Sequence, residues 1–193
     1  MATDSSTGGY LTPVGAQPLD DAALDLVLQG YVVGVTGMQG AMVRPRWQPT
    51  VPKQPPADTN WCAIGVQDTD REAVASIQHN PAGDGSDTLR RNEVLTILAS
   101  FYGPGAKGLA TLFADGIQIA QNQEAIAAQG LQFMDSEQIL TAPELVNEQW
   151  IRRYDLSFRL RRQVVRTYAV LNVESAQVTV KEENQTFGIT VSN

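Results

Sequence analysis

The sequence has few of the residues on which most active sites depend. Its 193 residues include one histidine, His79, and one cysteine, Cys62. A single cysteine forms no disulfide within the chain, and its place beside Trp61 and an apolar run predicts a buried strand residue rather than a nucleophile. A lone histidine supplies neither a multi-ligand metal site nor a recognisable catalytic triad. The sequence therefore predicts no enzyme activity, no metal and no cofactor.

Long apolar runs and an excess of positive charge are also missing. No apolar stretch reaches the ~18 residues that indicate a membrane span, and the N-terminus lacks the basic start and apolar core of a signal peptide. We therefore expect no membrane partner and a protein that starts in the cytoplasm. The net charge of −7 argues against nucleic-acid binding, which relies on a basic surface.

Two glycine-rich stretches approach known motifs without matching them. GPGAKG at 103–108 has neither the spacing of a phosphate-binding loop nor a Ser or Thr after its lysine. NPAGDGSD at 80–87 lacks the ligand spacing and closing glutamate of a calcium loop. Both are predicted to be turns.

Two segments have the apolar spacing of helices. The first helix is predicted to start near Asp20 and to stop at Gly34 or Gly37. Its apolar face comprises Leu24, Val27, Leu28, Tyr31 and Val35. The second is predicted over roughly residues 105–129, with Gly130 as its C-cap.

Strand patterns flank these helices. WCAIGVQ and AVASIQH, separated by DTDRE, predict a hairpin, and a long strand precedes GPG at 103–105. Pro143 suits the first helical turn of PELVNEQW, and alternating residues from Leu156 onward predict further strands. This order predicts an α+β fold, a largely antiparallel β-sheet with two main helices packed on one face of a single domain.

The domain layout follows from these elements. Residues 1–18 are predicted to be a flexible N-terminal arm, 19–175 the α+β domain and 176–193 a C-terminal β segment. Within the domain, residues 48–60 are predicted to be a proline-rich extended loop. The sequence before this loop is too short for a separate domain, so the loop is a bridge within one.

The proline-rich stretch also contains a docking pattern. RWQPTVP at 46–52 fits R-x-x-P-x-x-P, but five of the ten prolines lie between residues 41 and 60, where a chance match is easy. We favour an extended surface segment, with Trp47 as an apolar anchor.

Positive charge is concentrated late in the chain. Six of the fourteen basic residues lie between Arg152 and Arg166. They are Arg152, Arg153, Arg159, Arg161, Arg162 and Arg166. These arginines either face acidic groups, on this chain or on a neighbouring subunit, or face DNA; the overall acidity favours the first. The acidic residues that could face them include Asp20, Asp21, Asp25, Glu124, Glu144 and Glu148.

Four segments together resemble a family of bacteriophage neck or tail terminator proteins. They are RPRWQP at 44–49, RNEVLTILASFYGPGA at 91–106, FADGIQIAQNQEAI at 113–126 and PELVNEQWIRRYDLSFRLRRQVVRTYAVLNVESA at 143–176. The resemblance implies a structural virion protein, assembled in the host cytoplasm, that forms a ring, usually a hexamer, at the head-proximal end of the tail. Such a ring contacts the tail tube protein below and the neck or connector protein above, and DNA passes through its lumen as cargo.

The resemblance also gives the arginines a role. We expect a subunit or partner interface that includes Arg44, Arg46, Trp47, Arg152, Arg153, Arg159, Arg161, Arg162 and Arg166. Two alternatives stay open. One is another tail-tube or baseplate adaptor ring protein; the other is a small cytoplasmic nucleic-acid-binding module that uses the strand from Arg152 to Arg166.

Overall fold

The computed structural model describes residues 4–50, 52–146, 148–173, 175–182 and 185–192, the last two ranges as backbone only. The α-helices in these ranges are α1 (Asp21–Thr36), α2 (Ala106–Gly116) and α3 (Ala120–Ala127), and a short 3-10 helix covers Gly40–Met42. The strands are β1 (Val43–Pro45), β2 (Trp61–Arg71), β3 (Ser76–Asn80), β4 (Ser86–Tyr102), β5 (Gln132–Ser136), β6 (Leu140–Thr141), β7 (Glu144–Val146), β8 (Gln149–Ile151), β9 (Arg153–Tyr168), β10 (Ser175–Glu182) and β11 (Gln185–Ser192).

The main sheet has seven strands in the order β1-β2-β4-β9-β5, with β3 added to β4 and β6 added to β9. β1 lies parallel to β2, whereas β2 and β3 pair with β4, and β5 and β6 with β9, in antiparallel register. The predicted α+β class and largely antiparallel sheet are therefore confirmed, and the sheet is mixed because of β1.

Helix α1 begins and ends where the sequence predicts. Asp20 is its extended N-cap, and Gly37 adopts the left-handed conformation (φ 71°) in which its N–H donates to the carbonyl of Val33. The predicted face is buried at Leu24, Leu28 and Tyr31. This spacing turns one side of α1 towards the core.

Residues from all three α-helices and from β2, β4 and β9 form one apolar core on one face of the sheet. Phe113 of α2 lies at its centre, with ring centroids 5.7 Å from Tyr31, 5.8 Å from Phe101 and 5.5 Å from Phe158. Cys62 is fully buried in β2, as predicted, and burial raises the pKa of its thiol. Aromatic contacts of this kind add to the stability that burial itself gives.

The predicted length of the second helix is wrong, because the helix is interrupted between α2 and α3. The amide of Asn122 donates to the carbonyl of Gly116 (2.9 Å), and that of Gln123 donates to Ile117 (3.0 Å). These side chains, which looked like a helical continuation, cap the carbonyls at the end of α2. Gly116 also lies where a Cβ atom would overlap Val35 of α1.

The predicted hairpin between WCAIGVQ and AVASIQH is also wrong. Strand β2 continues through the expected turn to Arg71 because the long β4 offers it a partner as far as Glu93. β3 then pairs with the beginning of β4, where Ser76 lies opposite Arg90. Strand β4, with 17 residues, is therefore long enough to pair with both β2 and β3.

The predicted helical turn at PELVNEQW is a β-hairpin instead. β7 and β8 pair with Leu145 opposite Trp150. Glu148, in the connection, has a positive φ of 62°, a conformation found in tight turns rather than helices. Ile151 is buried against Ala63 and Tyr102, and this packing favours the hairpin over a helix.

The chain divides into two compact units, and β4 and β9 have residues in both. The larger unit comprises residues 18–75 and 91–164 and contains the helical core. The smaller comprises 1–17, 76–90 and 165–193; in it Ser5 donates to the carbonyl of Ala169, and β10 pairs with β11. The domain boundaries and the flexibility of the N-terminal arm stay predictions.

The proline-rich segment carries neither helix nor strand in its described residues 46–50 and 52–60. Hydrogen bonds tie both of its ends to the rest of the larger unit. The backbone N–H of Arg46 donates to Ile64 (2.8 Å), and the side-chain oxygen of Asn60 accepts from the N–H of Gly105 at the start of α2 (2.8 Å). This arrangement agrees with a bridge inside one fold.

Candidate functional site

The face of the sheet opposite the helices carries a different set of side chains. Along β4, Ala99 and Phe101 join the helical core, so Ser100 and Tyr102 point the other way. Across the strand pair, Ala63 of β2 lies opposite Ser100 and Trp61 lies opposite Tyr102. We call this surface the open face; the segment after β1 and the β7–β8 hairpin lie along it.

A chain of hydrogen bonds crosses the open face. Arg46 donates to the hydroxyl of Ser100 (2.5 Å), and this hydroxyl donates to the carboxylate of Asp155 on β9 (2.5 Å). Asp155 also accepts two bonds of 2.8 Å from Arg153, which in turn contacts Glu144 of β7. The network links residues on two strands of the main sheet, the hairpin and the proline-rich segment. Bidentate arginine pairs of this kind are strong and geometrically specific.

Aromatic rings continue this network. Trp61 and Tyr102 stack almost in parallel, with centroids 4.1 Å apart and an angle of 6°. The guanidinium of Arg44 lies 5.8 Å from the Trp61 ring, and that of Arg153 lies 5.6 Å from the Tyr102 ring. Each cation–π contact contributes on the order of 0.5–2 kcal/mol, depending on how dry it is. The stack therefore orders Arg44 and Arg153 on the same surface.

A second cluster surrounds Glu93, whose side chain is only 4% exposed although it carries a carboxylate. Arg71 (2.6 Å) and Arg162 (2.8 Å) both contact it. Arg162 also contacts Asp20 (2.6 Å) and the carbonyl of Leu19. The cluster thus joins the start of α1 to β2, β4 and β9, and two cations offset the cost of burying one carboxylate.

The arginine row on β9 faces the neighbouring strand β5. Arg159 lies opposite Asp135 and makes a bidentate contact with it, and Arg161 lies opposite Gln132 and donates to it (3.0 Å). The hydrogen bond from Arg159 lowers the pKa of Asp135. Both members of the Arg159–Asp135 pair are about half exposed, so the contact is weak compared with the more buried pair of Arg153 and Asp155.

The structure therefore brings some predicted residues together and separates others. Arg44, Arg46 and Arg153 meet on the open face, whereas Arg162 belongs to the Glu93 cluster. The side chains of Trp47 and Arg152 are exposed; Trp47 donates to the carbonyl of Val66 (3.2 Å) and Arg152 to that of Pro104 (3.5 Å). Arg166 is half-buried in the smaller unit.

The expectation that acidic residues face the arginines holds within the chain for Asp20 and Glu144. Sequence reasoning missed Ser100, Tyr102 and Asp155 on the open face, and Glu93 in the second cluster. A signal for Glu93 was available, since it occupies an apolar position of the alternation that continues at Leu95 and Ile97. A carboxylate in such a position indicates a buried ion pair.

The described residues hold no group of three or more side chains arranged to bind a metal ion. None of the three α-helices seen in the described part of the chain has the length and apolarity needed to cross a bilayer.

Fold and network together define an α+β structural protein whose charged side chains hold its own strands in place. The family model described as phage neck terminator protein matches residues 22–185. Because this is more than four fifths of the 193 residues, the chain belongs to the phage neck terminator family and is a structural protein of the phage virion. This confirms the resemblance found in the sequence. None of the curated proteins matches the chain.

Proposed function

We propose that this chain forms a closed ring at the head-proximal end of the tail. The ring ends the tail tube and joins it to the neck or connector, and DNA passes through its lumen. The observation that carries this proposal is the family match over residues 22–185, which spans the helical core and the open face alike. Six copies per ring is the number that the family resemblance implies.

The ion pairs that the arginines make within the chain favour this role over that of a DNA-binding module. Arg153, Arg159 and Arg162 each contact at least one carboxylate of the same chain. A guanidinium already paired with a carboxylate has less to offer a phosphate, and a net charge of −7 repels the DNA backbone. DNA is therefore proposed as cargo that slides through, and purified protein should show no duplex binding at physiological salt.

Six of the nine predicted interface residues have one of two roles in this proposal. Trp47, Arg152 and Arg161 have exposed side chains and are proposed to contact neighbouring subunits or partners. Arg44, Arg46 and Arg153 lie in the network beneath that surface and are proposed to fix its shape. Charge reversal at Arg161 should impair assembly and leave the folded monomer intact, because its partner in the chain is a neutral amide.

Electron microscopy of phage particles that lack the protein tests the position in the virion. We expect tails of uncontrolled length, or finished tails that are not joined to heads. Tails of normal length on filled heads would contradict the proposal. Labelled copies at the distal end of the tail would favour the alternative of a baseplate adaptor.

A further inference from the structure

The β7–β8 hairpin presents an apolar and cationic flank, with the carboxylate of Glu148 in the connection between its two strands. Leu145 and Trp150 lie opposite each other and are 60% and 70% exposed, although both are large apolar residues. Arg152 lies two residues beyond Trp150 in an extended chain, and the buried Ile151 separates them, so both side chains point outward. Among the described residues, Arg152 makes no ion pair and contacts only the carbonyl of Pro104.

A groove of about 760 Å³ elsewhere in the larger unit has the opposite character. It lies between the first turns of α1, the segment after β1, and the sheet. Its apolar lining includes Leu24, Leu26, Trp47 and Val66, and its charged lining is Asp20, Asp21, Asp25 and Arg162. Three carboxylates against one guanidinium leave the groove with an excess of negative charge.

The negative charge of the groove is not neutralised by cations of the same chain. Arg162 is shared between Asp20 and Glu93, and neither Asp21 nor Asp25 has an ion-pair partner among the described residues. Burial, and next to it the charge of Asp21, raise the pKa of Asp25. A cation placed beside these two carboxylates would offset both effects on the pKa of Asp25.

In its own molecule, Arg152 of the hairpin contacts Pro104 and lies far from the end of the groove that Thr69 and Leu95 line. Ile151 packs against Tyr102, at one end of the β2–β4 pair, whereas the groove is lined by Thr69 and Leu95, at the other end. Seven residues separate Tyr102 from Leu95 along β4, and a strand rises by about 3.3 Å per residue, so roughly 23 Å lie between them.

We propose that the hairpin of one copy docks in the groove of a second copy, with Trp150 against the apolar lining and Arg152 beside Asp21 and Asp25. The two surfaces match in apolar character, the charge of Arg152 is opposite to that of Asp21 and Asp25, and one molecule carries both surfaces; Glu148, in the connection of the hairpin, is proposed to lie outside the groove. A contact between two different surfaces of identical chains continues from copy to copy until a ring closes. The inference rests on the proposed ring and identifies the surfaces through which its subunits meet.

Cross-linking of a mixture tests the contact directly. We would make Gln149→Cys and Leu26→Cys as separate proteins, because Gln149 is exposed beside the Trp150 anchor and the native Cys62 is fully buried and should stay unreactive. A short bismaleimide should link the two variants when they are mixed and give little product with either alone. Linkage of Gln149→Cys to itself would mean that hairpins meet each other, and it would overturn the inference.

Charge exchange gives a second and independent test. Arg152→Glu and Asp25→Arg should each reduce assembly, measured as mass in solution, and the double variant should recover it because every contact regains opposite charges. Trp150→Ala should raise the dissociation constant roughly 30-fold, as expected for a buried aromatic anchor. Lys53→Glu serves as the matched control, since Lys53 is exposed and outside both surfaces.

The outcomes separate this inference from the proposed function. Single variants that still assemble like wild type, or a wild-type protein that stays monomeric at its highest soluble concentration, overturn the hairpin contact. Neither result bears on where the protein sits in the virion, which microscopy of particles decides. If Asp25→Arg alone impairs assembly while the hairpin variants do not, the groove takes another partner and the inference is also wrong.

Discussion

The two faces of the central sheet are built from alternate residues of the same strands, yet they are stabilised in different ways. Phe101 and Ala99 face the helices and lie in an apolar core, whereas Ser100 and Tyr102 face away and join a network of arginines, acids and rings. Apolar packing depends mainly on volume and tolerates similar side chains. A buried polar network depends on each partner, because an unpaired charge left behind is costly.

This difference has a consequence for what each face can specify. We call the face that the helices cover the helical face. Many sequences with the same spacing of apolar residues would pack there. The open face fixes the positions of the proline-rich segment and the hairpin through individual atoms, such as the hydroxyl of Ser100 between Arg46 and Asp155. Even so, Nε of Arg46 is buried and finds no partner among the described residues. The network therefore gives less stability than its number of bonds would indicate.

Truncation at the centre of the helical face should have the largest effect. Phe113 is fully buried and touches three other rings, so Phe113→Ala should lower the free energy of unfolding by about 3–5 kcal/mol. Denaturant titration measures it. The neighbouring Leu112 is about half exposed, and Leu112→Ala should change stability by no more than about 0.5 kcal/mol. Equal losses at both positions would contradict the assigned core.

Removal of one carboxylate from the open face should cause the second largest loss in the free energy of unfolding. Asp155→Ala leaves Arg153 and Ser100 with a missing partner, and we expect a loss of about 3 kcal/mol. The same titration measures it, and a double-mutant cycle with Ser100→Ala should give a clear coupling energy. Additive effects of the two substitutions would show that the network does not act as a unit.

The sequence predicts the helical face far better than the open face. The spacing of Leu24, Leu28 and Tyr31 is sufficient to place α1, because apolar periodicity depends only on neighbours along the chain. The bonds from Arg46 to Ser100 and from Ser100 to Asp155 span 54 and 55 residues. No local pattern encodes such pairs. The arginine cluster was therefore visible in the sequence, but most of its partners were not.

The same limit explains the errors in the elements. The break after α2 depends on amides of Asn122 and Gln123 that fold back onto carbonyls, although both residues fit a continuous helix. The β7–β8 hairpin depends on Ile151 packing against Tyr102, which lies far away in sequence. In both places tertiary contacts override a local preference.

An exposed ion pair offers a matched contrast to Asp155. Asp135 also makes a bidentate contact with an arginine, but both partners are about half exposed. Asp135→Ala should therefore cost only a small fraction of the Asp155→Ala loss. Because the pKa of Asp135 is lowered in the folded protein, its contribution is present above the ordinary aspartate pKa and disappears as the pH falls through the folded value. A difference between Asp135→Ala and wild type that persists in strong acid would contradict this assignment.

The smallest expected effect on stability is that of replacing His79, in the smaller unit. The hydrogen bonds of this side chain depend on whether its imidazole ring is protonated. Nδ1 of His79 lies 2.7 Å from a carboxylate oxygen of Asp87, and Nε2 lies 3.0 Å from the side-chain oxygen of Asn172. The Asn172 amide donates to the carbonyls of Pro81 and Gly83, which fixes its oxygen towards the ring. Both ring nitrogens thus face acceptors, and only the protonated imidazole satisfies them.

These two hydrogen bonds, first that of Asp87 and then that of Asn172, raise the pKa of His79. Its stabilising contribution is therefore complete below the unfolded pKa of about 6.5 and is lost as the pH rises through the folded value. The melting temperature of wild type should approach that of His79→Gln as the pH rises above about 6.5, whereas in an Asp87→Asn background the two melting temperatures should meet at a lower pH. A pH-independent gap would mean that His79 acts here through packing, as residues of the helical face do, rather than through its charge.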